Sequence, residues 1–276
     1  MKPELNIWIG QAESTWLETL YANARELYQN SPLPSHDHSH HLRVWNLCKI
    51  LLREISTFNS RIDYSLVEGV LIAALFHDLG MAFSSREDHG LAGSELCLYW
   101  FRERGRKTPQ RFEEVLRAIE LHDRKDKQIY SSFDRESTPE ILGVLSVADD
   151  LEAMGTIGIY RYAEIYLQRG VPLETLGSRI FENAFNRFEN LSKACQLCNG
   201  VLEEFRPQYQ ALRDFFEQYT LQWKESADPE RVHSGPLGVV NYLRTGGVPQ
   251  PAPDYGDQEV KDYFRKLDYE LERARL

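Results

Sequence analysis

The chain is short of cysteine, of basic charge and of long apolar runs, and each shortage removes a class of protein. Four cysteines, at 48, 97, 195 and 198, in 276 residues do not make a disulfide scaffold. Cys195-Gln196-Leu197-Cys198 is a lone CxxC inside a helical pattern. With neither a second pair nor a βαβ context, it reads as packing. Acids outnumber bases 42 to 32 and the net charge is −10. That argues against a general nucleic-acid binder, which needs a basic stripe. A phosphorylated small molecule stays open as a ligand, because a bound cation supplies local positive charge whatever the global sign. No stretch approaches the roughly 20 apolar residues of a membrane helix; the longest apolar runs, 70–76 and 141–148, are short and followed by acids. Met1-Lys2-Pro3-Glu4 shows no signal-peptide pattern. A soluble, cytoplasmic protein without a membrane partner is expected.

What is present is material for a core, 42% hydrophobic and 12% aromatic, in a chain long enough for one large domain or two small ones. The periodicity is helical almost throughout. Thr15-Trp16-Leu17-Glu18 and Ser65-Leu66-Val67-Glu68 read as capping boxes. The first would open a helix ending before Pro32, the second a helix running to His77. Thr108-Pro109 and Thr138-Pro139 each put a cap before a proline at the first helical position. The helices expected there run toward His122 and over 139–154. Gly155, Gly158 and Gly170 punctuate the next helix, and helical pattern resumes over 173–224. From 226 onward proline and glycine crowd the text. The expectation is an all-α body over 1–225, then an irregular arm and an amphipathic terminal helix at 257–274. That tail, 226–276, is expected to wrap the body or to join a second subunit in a homo-oligomer.

The most informative pair is His77-Asp78, fed by the apolar run Val70-Leu71-Ile72-Ala73-Ala74-Leu75-Phe76 and followed by Leu79-Gly80. An imidazole and a carboxylate at the end of a helix that is apolar on every face should be desolvated. Burying them is costly unless something pairs them, and a divalent cation is the usual partner. The alternative is a His-Asp pair that caps a core helix. Other histidines repeat the pattern: four lie within 36–41, and His89 and His122 sit at helix ends or after apolar segments. Asp149 closes the apolar run 141–148. His40, His77, Asp78 and Asp149 would come from three helices, which is how helical bundles build metal sites. Mixed imidazole and carboxylate donors suit zinc, iron, manganese, cobalt or nickel, not calcium.

The segments around these residues resemble the HD-domain metal-dependent phosphohydrolases. His36-Asp37-His38-Ser39-His40-His41-Leu42-Arg43-Val44 is similar to the HDxxHxxRV segment of the bacterial branch that includes small nucleotide pyrophosphatases. Leu75-Phe76-His77-Asp78-Leu79-Gly80 is similar to its LxHDIG segment, and the stretch from Ala148 to Gly158 to its ADRLDAxGxxG segment. The resemblance covers roughly 15–220 and implies an all-α HD-domain helical bundle. It selects His40 as first ligand over His36 and His41, and Asp149 over Asp150. Where the family often has Asp before that alanine and Arg after the ligand, this chain has Val147 and Asp150, and Met81 stands where some family nucleotidases carry a glutamate.

The resemblance implies a phosphohydrolase acting on a small phosphorylated metabolite, with a nucleotide as the leading substrate. The ligands would be His40, His77, Asp78 and Asp149, holding one divalent ion, with Mg an option in the substrate complex. His89 and His122 resemble later family histidines that face the phosphate or, in binuclear members, bind a second metal; the phosphate-facing role is preferred. Asp78 would also handle the proton of the attacking water. Arg43, Arg124 and Lys125 are candidates for substrate phosphates. For the last two a solvated charged loop is the alternative, and for Arg43 an ion pair with a site acid. Two other readings stay open: a binuclear iron oxygenase on the same scaffold, and a metal-stabilised binding or regulatory module without turnover.

Overall fold

The computed structural model describes residues 3–30, 34–83, 89–124, 133–245 and 255–273. Among these the chain is all α-helical, with no strand. It divides into two compact units, one formed by 1–151 with 189–203 and the other by 152–188 with 204–276. The expected division near 225 is therefore not where the packing divides.

In the first unit, α1 (Pro3–Ala12) continues through a π-turn at Glu13–Leu17 into α2 (Glu18–Leu27). Leu5, Ile9, Ala12, Trp16, Leu20 and Ala24 recur every three or four residues and all are buried, so one apolar stripe carries the chain past Thr15. Thr15 is thus inside the helical run instead of capping it, and its hydroxyl donates to the Gln11 carbonyl at 2.8 Å.

Next come α3 (His38–Ile55) and α4 (Tyr64–Phe76). The cap of α4 is Asp63, not Ser65: the Asp63 carboxylate accepts from Leu66 N at 2.9 Å and from the Ser65 hydroxyl at 2.8 Å. Glu68, the expected capping-box acid, instead accepts from Trp16 Nε1 at 2.8 Å. From Leu66 to Phe76 only Glu68 escapes burial. Such a helix has no polar face and must be wrapped on all sides; α1, α3 and α6 (Phe112–Leu121) do this. The stretch Tyr64–Ala82 is in fact long and apolar enough to cross a membrane, which corrects the sequence reading, but 83% of its apolar window is buried inside the protein. It is a core helix.

Between α4 and α6 runs α5 (His89–Glu103), and after α6 comes α7 (Ile141–Glu152). Neither Thr-Pro pair supplies the expected cap. Helix α6 starts at Phe112 with Arg111 at its cap position, and α7 starts at Ile141. Glu114 ties these starts together, accepting from Arg111 Nε at 2.6 Å and from Ile141 N at 2.9 Å.

The second unit contains α8 (Gly155–Gln168), most of α9 (Leu173–Ala194) and of α10 (Asn199–Glu225), then α11 (Gly235–Arg244) and α12 (Gln258–Arg273). Helix α11 lies inside the stretch expected to be irregular. Its residues Val239 and Tyr242 pack with Tyr160 of α8 and with Val260, Phe264 and Leu267 of α12. The terminal helix therefore spends its apolar face within its own unit. Residues 189–203, spanning the end of α9 and the start of α10, belong to the first unit: Phe133 N donates to Ala194 O at 3.0 Å, and Gly200 N to the Glu54 carboxylate at 3.2 Å.

Two glycines let α5 close on the end of α4. A Cβ on Gly80 would collide with the His89 carbonyl oxygen, and one on Gly93 would lie 2.8 Å from Phe76 O and 2.9 Å from His77 O. Backbone oxygens cannot swing aside as a side chain can. Gly93→Ala is expected to destabilise the protein by about 1–3 kcal/mol, read as a lower urea midpoint; an unchanged midpoint would show that α5 is not held at this distance.

Candidate metal centre

His40 lies in the first turn of α3, whose N-terminus is fixed by Asp37. The Asp37 carboxylate accepts from Ser39 N at 2.9 Å and His40 N at 3.3 Å. His77 and Asp78 follow the last turn of α4. His89 begins α5, His122 sits just past the end of α6, and Asp149 lies near the end of α7. All six are buried, none more than 4% exposed.

The structure gathers them into two groups that share Asp78. One is His40, His77, Asp78 and Asp149; the other is Asp78, His89 and His122; in each, one donor atom per residue lies within 4.8 Å of the rest. Asp78 divides its oxygens between them. Oδ2 lies 3.1 Å from His40 Nε2 and 3.5 Å from His77 Nε2. Oδ1 lies 3.0 Å from His122 Nε2 and 3.3 Å from His89 Nε2. His40 Nε2 is in turn 3.0 Å from His77 Nε2 and 3.8 Å from Asp149 Oδ1.

The proton positions follow from the partners. His77 Nδ1 is 2.9 Å from the Ala74 carbonyl and His122 Nδ1 is 2.7 Å from the Ile119 carbonyl. A carbonyl only accepts, so both Nδ1 atoms carry the proton and, in the neutral rings, both Nε2 atoms present lone pairs. Burial, outweighing the Asp78 charge that opposes it, pushes His77 down to about 3, so its ring is neutral. Burial alone would raise the Asp78 carboxyl, but the imidazoles around it, His77 first and then His122, His40 and His89, outweigh it and hold the group well below the usual carboxylate range. A neutral imidazole and an ionised carboxylate are the forms that ligate a metal. Lone pairs converging at 3.0–3.5 Å repel unless a cation stands among them, so this donor set fits a divalent ion.

Residues passed over as ligands, candidates for substrate contact and other nearby polar or aromatic residues lie outside both groups. His36 is buried with its ring 5.8 Å from that of His40, and like His41 it joins neither donor group. Asp150 is buried and also outside both groups. Arg43 is buried and donates to Ser39 Oγ at 2.7 Å, and the Ser39 hydroxyl donates to Asp37 at 2.5 Å. That chain of contacts braces the cap of α3. Arg124 is exposed, and Lys125 lies outside the described residues. Glu152 is buried and ion-paired with Arg161 in the second unit. Trp45 and Trp100 are core residues, whereas Tyr99 is exposed. Cys195 and Cys198 are buried, and their mutual hydrogen bond together with burial raises the Cys195 thiol far above its ordinary value. They are packing residues.

Sequence reasoning missed Tyr28, whose hydroxyl donates to the Asp78 carbonyl at 2.6 Å. No motif or periodicity marks it. Compared with known proteins, residues 38–154 match the family model described as HD domain, a span that includes every residue of both donor groups. No curated protein and no solved structure matches the chain.

Stability without metal should depend on pH with a definite sign. An unfolded histidine titrates near 6.5, whereas His77 in the fold does so at about 3. Below 6.5 the unfolded state takes up a proton that the folded state refuses, so the contribution present above 6.5 is lost progressively down to about 3. Asp78, also depressed, adds a loss below the ordinary carboxylate value of 3.8. Urea midpoints of metal-free protein should fall across this window, and His77→Gln should flatten the upper part of the slope. An identical slope in the variant would show that His77 is not the buried neutral group.

Proposed function

The chain carries an HD domain over residues 38–154, in a superfamily made up mostly of metal-dependent hydrolases, and from that premise we propose that it is a phosphohydrolase of a small cytoplasmic metabolite, with a nucleotide as the leading substrate class. The observation that carries the reading is the division of Asp78, one oxygen facing His40 and His77 and the other facing His89 and His122.

His40, His77, Asp78 Oδ2 and Asp149 would hold the ion. When bound, a divalent ion supplies Lewis acidity toward a phosphoryl oxygen and lowers the pKa of a water toward neutrality. The remaining work falls to the chain. Asp78 Oδ1, ionised in the fold, can accept the proton that the attacking water gives up. His122, with Nδ1 committed to the Ile119 carbonyl, carries a proton at Nε2 only as an imidazolium. In that form it would offer a positive charge and an N–H to the oxygens of the phosphoryl group, where charge builds in the transition state. His89, 3.3 Å from the same Asp78 oxygen, is poised for the same role. Arg43 is not the first choice for phosphate contact, because its guanidinium is engaged on Ser39; Arg124 remains a candidate for the outer phosphates.

The shared carboxylate also favours a second reading. Six donors in two groups that share Asp78 would be enough residues to hold a second ion, as a binuclear iron oxygenase requires. That reading needs tightly bound iron and oxygen uptake that accompanies turnover.

The deciding assay is phosphate release from a panel of nucleotides and sugar phosphates with Mn, Co or Mg, with and without added inorganic pyrophosphatase. We expect metal-dependent release, abolished together with Mn binding in Asp78→Ala. Release only with pyrophosphatase would identify cleavage between the α- and β-phosphates; direct release would identify a phosphomonoesterase or stepwise phosphatase. Release from no substrate, or full activity in Asp78→Ala, would overturn the proposal.

A further inference from the structure

The turn that carries His77 and Asp78 is braced by two residues that belong to neither donor group. His41 is fully buried, and its Nδ1 donates to the Ala74 carbonyl at 3.1 Å. His77 Nδ1 uses the same oxygen at 2.9 Å. A carbonyl oxygen has two lone pairs, and these two N–H groups occupy both. Neither ring can turn without giving up its bond. The rings also meet edge to face, with centroids 5.0 Å apart and planes at 66°.

Tyr28 packs against His41 with ring centroids 5.5 Å apart. Its hydroxyl donates to the backbone carbonyl of Asp78 at 2.6 Å. One brace therefore acts on the imidazole of the first residue of the pair and the other on the backbone of the second. The α-helix itself does neither, because its last carbonyls have no helical partner.

His41 also keeps Nε2 buried with no hydrogen-bond partner. As packing alone this is a poor choice. A phenylalanine would fill a similar volume without stranding a polar atom. What an apolar ring lacks is the N–H aimed at Ala74.

We propose that His41 and Tyr28 are positioning residues that hold the His77 Nε2 lone pair and the Asp78 carboxylate in ligating directions before any ion arrives. The proposal rests on the metal-centred reading above. It assigns neither residue a contact with metal or substrate.

The test is Mn affinity of the full-length protein by calorimetry, with the unfolding midpoint measured alongside and the visible spectrum of the Co-loaded protein as a report on ligand geometry. His41→Phe keeps the ring and removes the donor. His41→Asn returns an amide N–H near the position of Nδ1. Tyr28→Phe removes a single oxygen. We expect the Mn dissociation constant to rise roughly tenfold or more in His41→Phe, to recover at least partly in His41→Asn, and to rise in Tyr28→Phe, with altered Co spectra wherever affinity falls. A merely structural role would lower the midpoint and leave affinity and spectrum as in the wild type, and that result overturns the proposal. If His41→Phe does not fold, Tyr28→Phe decides: wild-type affinity there overturns it. Wild-type protein that binds no Mn would overturn the metal-centred reading and this inference with it, whereas wild-type binding with unaffected variants overturns this inference alone.

Discussion

The arrangement depends on one desolvated carboxylate. Asp78 is almost wholly buried and ionised, with imidazole nitrogens within 3.5 Å of both oxygens. An unpaired carboxylate in such a place would simply take up a proton. The charge on Asp78 calls for the cation that four converging histidines would help to hold, and they converge because α3, α4, α5 and α6 each deliver one from a helix terminus or the turn beyond it. Helix ends suit this purpose. They can aim side chains inward without interrupting an apolar face, and their spare carbonyls fix tautomers, as those of Ala74 and Ile119 do here.

The central helix explains why these ends meet. Buried on all sides, α4 leaves its C-terminal turn inside the first unit, where water cannot solvate it. The close approach of α5 at Gly93 brings a second helix start to the same spot. Packing of apolar residues and convergence of polar ones thus meet at the C-terminal end of α4.

Much of this was legible in the sequence, because each of His40, His77, Asp78 and Asp149 sits beside an apolar run or within a motif whose spacing fixes its helix. Other features were not. The caps were only partly legible: the apolar stripe from Leu5 to Ala24 runs unbroken past Thr15, Asp63 caps α4 from two residues before Ser65, and α6 and α7 start at Phe112 and Ile141, beyond the two Thr-Pro pairs. The division of Asp78 between two donor groups is a matter of torsion angles, which no spacing encodes. Tyr28 was invisible for a similar reason, since its function lies in one hydroxyl meeting one carbonyl fifty positions away. The end of the chain was misjudged because proline and glycine dominate its text, while α11 is held by the few apolar residues among them.

The first unit is discontinuous: the chain leaves it after residue 151 and returns for 189–203. During synthesis the residues of both donor groups are therefore all made before the segment that completes their body has emerged from the ribosome. A nascent chain halted near residue 154 would hold every donor but lack the strut that joins Phe133 to Ala194 and Glu54 to Gly200. The stretch that matches the family model holds every donor but not every segment that its unit packs with.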